Sequence, residues 1–162
     1  MINLKRILLL TAALFFSYNL FSATIGTLTL EGIVAEVLSI EVIPSDGTPG
    51  DNTYSGLDLH NSVNLLPVAE VREISNTQNG YKVLITHDGL LENAMSGTTP
   101  FAYGLFYNNV QVQTGSNKEV TNVGSGGYNS IKSIKISYTG IAQELLVAGT
   151  YTDTVTFTIE AN

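Results

Sequence analysis

The sequence predicts an all-β domain, and three observations predict it. Apolar and polar residues alternate over short runs, turn-forming residues separate those runs every roughly 8 to 12 positions, and no stretch carries the 3.6-residue period of an amphipathic helix. No internal repeat, heptad or low-complexity tract competes with that reading.

Residues 1–23, MINLKRILLLTAALFFSYNLFSA, have the three parts of a secretory signal. Lys5 and Arg6 form the positive region, Ile7 to Phe16 the apolar run, and Ser22-Ala23 a small-residue end, with cleavage expected after Ala23. The apolar run is shorter than the roughly 20 residues a bilayer span needs. Its removal takes the formal charge from −7 to −9. Lys82, Lys118, Lys132 and Lys135 are scattered singly, so no basic stripe is available to track a phosphate backbone, and nucleic acid is not expected as a partner. The remaining chain is one domain's worth and contains no cysteine, so packing and strand pairing must hold it together without disulfides.

The segment TIGTLTLEG places Leu28 and Leu30 on one face with Gly26 and Gly32, alternating with Thr27, Thr29 and Glu31. VLSIEVIP continues with Leu38, Ile40 and Val42 facing inward until Pro44 stops it. SDGTPGDNTYSG reads as a solvated loop. Its Asp46, Asp51, Asn52 and the nearby Asp58 raise the thought of calcium, but the spacing fits no EF-hand and lacks the closing glutamate.

LDLHNSVNLLP predicts a strand with Leu57, Leu59, Val63 and Leu65 on one side, and VAEVREISNTQNGYKVLITHDG two more joined at Asn79-Gly80. FAYGLFYNNVQVQTG predicts a hairpin. Phe101, Tyr103, Leu105 and Tyr107 share a face, and Asn108-Asn109 suits the left-handed conformations of a two-residue turn. VGSGGYNS reads as a glycine loop, SIKSIKISYTG as a strand through Ile134, Ile136 and Tyr138, and AQELLVAG as the lead into a closing strand. In that strand Tyr151, Val155, Phe157 and Ile159 alternate with threonines, Asp153 being the exception. Seven or eight such strands describe an immunoglobulin-like sandwich.

Catalytic chemistry has little to work with. The two histidines are His60, read inside a strand, and His87, read at a turn, and neither has partners at triad or ligand spacing. Gly124-Ser125-Gly126-Gly127 lacks the spacing of a nucleophile elbow. Tyr81, Tyr103 and Tyr107 have core-facing parity rather than that of a stacking platform. A non-enzyme without metal or cofactor is the expectation.

Both ends of the mature chain then read as strands with one apolar face and unpaired backbone groups, the condition that invites strand addition. AGTYTDTVTFTI resembles the closing strand of spore-coat-protein-U-like and other chaperone-usher pilus subunits. TLTLEGIVAEVLSIEVIPSDG resembles the mature start of the cysteine-free colonisation-factor type of pilin, and SNTQNGYKVLI, FAYGLFYNNVQV and QELLVAGTY fall between them in the matching order.

The resemblance implies an incomplete immunoglobulin-like β-sandwich at residues 33–162, preceded by a donor-strand extension at 24–32. The domain would receive its missing strand first from a periplasmic chaperone and then from a neighbouring copy or related subunit at an outer-membrane usher. It also implies passage through the periplasm to a surface pilus, with adhesion as the broad role. Carried over by position, Gly26, Thr27, Leu28, Leu30 and Gly32 belong to the donor strand, and Val155, Phe157 and Ile159 line the acceptor groove. This chain departs from many pilins in lacking the cysteine pair, and from several in ending Ala161-Asn162 without a penultimate aromatic residue. The alternative is a secreted monomeric binding module whose own N-terminal strand completes its sheet; a secreted enzyme using His60 or His87 is a third.

Overall fold

A computed structural model describes residues 26–46, 52–95 and 99–162. The expected signal at residues 1–23, the start of the expected donor segment at Thr24 and Asp51 of the acidic loop lie outside the described residues.

The chain divides between Val34 and Ala35. Within the second unit, eleven strands alternate with turns. They are β1 (Leu38–Pro44), β2 (Val63–Ser75), β3 (Tyr81–His87), β4 (Leu90–Asn93), β5 (Phe101–Ala102), β6 (Gly104–Tyr107), β7 (Val110–Val112), β8 (Gly115–Val123), β9 (Tyr128–Tyr138), β10 (Tyr151–Thr152) and β11 (Thr156–Ala161). A single 3-10 turn, Gln143–Leu145, precedes β10. The molecule is all-β and immunoglobulin-like. One sheet runs β1-β2-β9-β6-β7, a second runs β11-β3-β8, and β10-β4-β5 form a short third ladder, all antiparallel.

The core joins inward faces of both main sheets. Val71 of β2, Ile85 of β3, Leu105 and Tyr107 of β6, and Ile134 and Ile136 of β9 belong to one buried cluster, with Val120 and Phe157 packed against it. The period-2 pattern accounts for this, since inward residues of each strand recur at every second position. The hairpin turns follow the predicted chemistry. Asn108 and Asn109 have φ of 48° and 67°, and Gly80 has φ of 83° at the β2–β3 turn.

Two expectations are corrected. Residues 57–65 do not form a strand: Leu59 to Asn61 make a turn, and β2 begins at Val63. The side chain of Asp58 causes this, accepting from the His60 backbone N–H at 3.0 Å and the Asn61 amide at 2.6 Å, so His60 sits in a turn and not within a strand. Leu65, at φ 54°, then lies in a bulge whose N–H donates to Ser137 Oγ at 2.8 Å. The closing strand is not continuous. Its first part pairs with β4 and its second with β3, so the chain leaves one ladder at Asp153 and enters another at Thr156. β8 is a nine-residue strand over a stretch, Ser116 to Asn122, to which the sequence pattern assigns no element; its mostly polar, exposed face is that of an edge.

Candidate functional site

The two main sheets end on the same side in strands that each have a single partner. β1 pairs with β2 and β11 pairs with β3, and among the described residues nothing pairs with their other edges. Between these edges lies a groove of about 690 Å³. Its walls are Ile40 and Val42 of β1, Tyr54 and Leu57 of the loop that follows, and Val155 and Phe157 at the start of β11. All six are only half-buried, although the parity of Ile40, Val42, Val155 and Phe157 is that of core residues.

Of the residues expected to line an acceptor groove, Val155 and Phe157 do line this one. Ile159, half-buried on the same face of β11, is not part of its lining. Sequence reading places Tyr54 in a solvated loop and Leu57 on a strand, and misses the contribution of both to the groove.

Asp153 also lines the groove, which explains why the apolar alternation breaks there. The phenol of Tyr103 donates to its Oδ2 at 2.5 Å, and the backbone N–H of Thr154 donates to Oδ1 at 2.6 Å. Burial, followed by the hydrogen bond to Asp153, pushes the Tyr103 phenol far above its ordinary pKa. The carboxylate is therefore tied into the wall, and the floor beside it stays apolar.

The segment Gly26 to Val34 contains no strand. Leu28 and Leu30 are 83% and 85% exposed, and Ile33 and Val34 are equally bare. Isolated exposed apolar residues are ordinary, but four within seven positions form an exposed apolar run.

The histidines do not form a site. His60 Nδ1 lies 3.1 Å from the Ile141 carbonyl oxygen. Both ring nitrogens of His87 are buried and without a hydrogen-bond partner among the described residues, the ring lying 6.1 Å from that of Tyr103. Among the described residues no three His, Asp or Glu side chains gather to hold a metal.

A second polar feature escaped the sequence reading. Glu73 of β2 is fully buried, and its carboxylate accepts from four hydroxyls. Tyr81 donates to Oε2 at 2.9 Å, Ser130 to Oε2 at 3.0 Å, Thr121 to Oε1 at 2.8 Å, and Tyr107 to Oε1 as well. A charged residue in a strand reads as outward-facing; only the convergence of hydroxyls from β3, β6, β8 and β9 makes this one tolerable inside.

The fold is thus an all-β sandwich with an open seam between β1 and β11. No protein-family model matches the chain, and no curated protein matches it. Among solved structures it is similar to the minor tip subunit HdaB of the E. coli Hda pilus, at 15% sequence identity and a TM-score of 0.39, over 75% of this chain and 79% of that one.

Proposed function

We propose that this protein is a structural subunit of a surface pilus, assembled by exchange of its N-terminal strand between neighbouring copies or related subunits. The observation that supports the reading is the pairing of opposites within one chain: an apolar groove bounded by two strand edges unpaired among the described residues, and a segment, Gly26 to Val34, that forms no strand and exposes Leu28 and Leu30. Gly26, Thr27, Leu28, Leu30 and Gly32 form the donor strand; Val155 and Phe157, with Ile159 beyond them, belong to the acceptor. An added strand satisfies backbone groups of an open edge while alternate side chains enter the groove. Each buried leucine contributes roughly 1.5 to 3 kcal/mol and each ladder hydrogen bond about 0.5 to 1.5, a sum comparable to a domain's whole stability of about 5 to 15 kcal/mol. Head-to-tail donation does not close on itself, so it yields a fibre.

The reading entails export through the residue 1–23 signal and temporary protection of the seam by a periplasmic chaperone. Delivery to an outer-membrane usher follows, with no catalytic role for either histidine. A copy of Thr24 to Gly32 joined to the C-terminus through a short flexible linker tests it. The expected product is a soluble monomer with a higher melting temperature that no longer polymerises. Failure of the tethered strand to stabilise the domain, together with a monomeric native protein by light scattering, overturns donation and leaves a self-contained secreted module.

A further inference from the structure

The opposite seam of the sandwich is built differently. There the main sheets end in β7 and β8, each again with a single partner. The cleft between them, about 370 Å³, is floored by Val112, Val120 and Tyr107 and rimmed by Gln111, Lys118 and Lys132. Residues 26–162 contain only five cations against fourteen Asp and Glu. Arg72 pairs with Glu41 at 3.9 Å, Lys82 with Glu160 at 3.1 Å, and Lys135 donates to Asn109 Oδ1 at 2.7 Å. The other two, Lys118 and Lys132, have no ion-pair or hydrogen-bond partner among the described residues, and both border this cleft. Glu119, also on its rim, accepts from the Asn122 amide at 3.1 Å.

We propose that this cleft is a binding site for a carboxylated sugar unit. Its size falls at the small end of ligand sites, about 300 to 1,000 Å³. Two half-buried lysines without carboxylates of their own supply the positive charge that complements a ligand carboxylate. The side-chain amides of Asn108, Gln111 and Gln113 each offer donors and an acceptor, which suits hydroxyls that do both. A phosphate has fewer hydroxyls than a sugar and makes less use of the amide oxygens. The valine floor fits the C–H face of a pyranose ring. The cleft lies at the edge away from β1 and β11, so a strand seated in the groove leaves it open.

The test is titration of the exported full chain with N-acetylneuraminic acid, followed by amide chemical shifts, with galactose and inorganic phosphate as parallel probes. The expected result is saturable shifts at Gln111, Lys118, Val120 and Lys132, with roughly millimolar affinity that falls as salt rises. Lys118→Gln and Lys132→Gln should each weaken binding about tenfold. Lys82→Gln, at an ion pair elsewhere, should change nothing, and Gln111→Ala should weaken binding without removing a charge. Absence of saturable shifts, equal binding of galactose or phosphate, or undiminished affinity in both lysine variants with native chemical-shift dispersion overturns the proposal.

Discussion

Tyr81 on β3 donates its phenolic proton to Glu73 on β2 at 2.9 Å, a hydrogen bond that crosses from one sheet of the sandwich to the other. Thr121 crosses from the same side, while Tyr107 and Ser130 approach within Glu73's own sheet. In a chain without cysteine, this polar junction stands where a covalent link between sheets could otherwise lie.

Glu73→Leu should therefore destabilise the domain by about 3 kcal/mol or more, since four buried hydroxyls lose their shared acceptor. Glu73→Gln should cost less, because the amide keeps one acceptor oxygen. Urea unfolding of both variants checks the order. Equal stability of Glu73→Leu and the native protein would show that the junction contributes nothing.

Alkali should unfold the protein over a defined range. Burial, then the hydrogen bond to Glu73, raises the Tyr81 phenol to about 12, and burial raises Tyr103 and Tyr107 as well. An unfolded tyrosine releases its proton near pH 10. Above that pH the unfolded chain binds fewer protons than the folded one, so this stability is complete below about pH 10 and is lost as pH rises through about 12. Tyr81→Phe should flatten the decline in urea midpoints measured from pH 8 to 12; an unchanged slope would contradict the assignment.

Gly80→Ala should be among the most damaging single changes. At φ +83° a Cβ is strained, and here it would stand 2.0 Å from the Val123 carbonyl oxygen and 2.2 Å from that of Gly124. A cost on the order of 2 kcal/mol or more follows. Gly124→Ala, with open space around it, should stay within about 0.5 kcal/mol. Paired thermal melts compare the two.

Leu28→Asp and Leu30→Asp should act on polymers and not on the folded domain. A carboxylate placed in an apolar groove costs several kcal/mol even after it takes up a proton. On the proposed exchange, variant subunits would still accept a strand but could not give one, so mixed with native protein they should shorten fibres seen by electron microscopy. Unchanged fibre lengths would count against donation by this segment.

His87→Leu removes two buried nitrogens that have no partner and should be neutral or stabilising by about 1 kcal/mol. His60→Gln and His87→Gln should leave surface assembly intact. Loss of assembly in a folded variant would reopen the question of catalysis.

Much of the fold was legible because single strands declare themselves locally. Ile40 and Val42 alternate with Glu41, and Asn108-Asn109 announces its turn. What stayed hidden depends on partners. The alternation from Tyr151 to Ile159 breaks only at Asp153 while the ladder beneath it changes from β4 to β3, and no local pattern names the new partner. GSNKEVTNV lacks an apolar face because β8 is an edge. Val155 and Phe157 are named as groove residues from the resemblance to pilus subunits, whereas Tyr54 and Leu57 enter through tertiary geometry alone.

The two walls of the open seam come from β1, ending at Pro44, and β11, beginning at Thr156, more than 100 residues apart. Were strands exchanged between copies as proposed, a chain delivered N-terminus first would have no complete acceptor until nearly all of it had arrived, while its donor segment would be available from the outset. Capture would then run in one order, with giving early and receiving only upon completion.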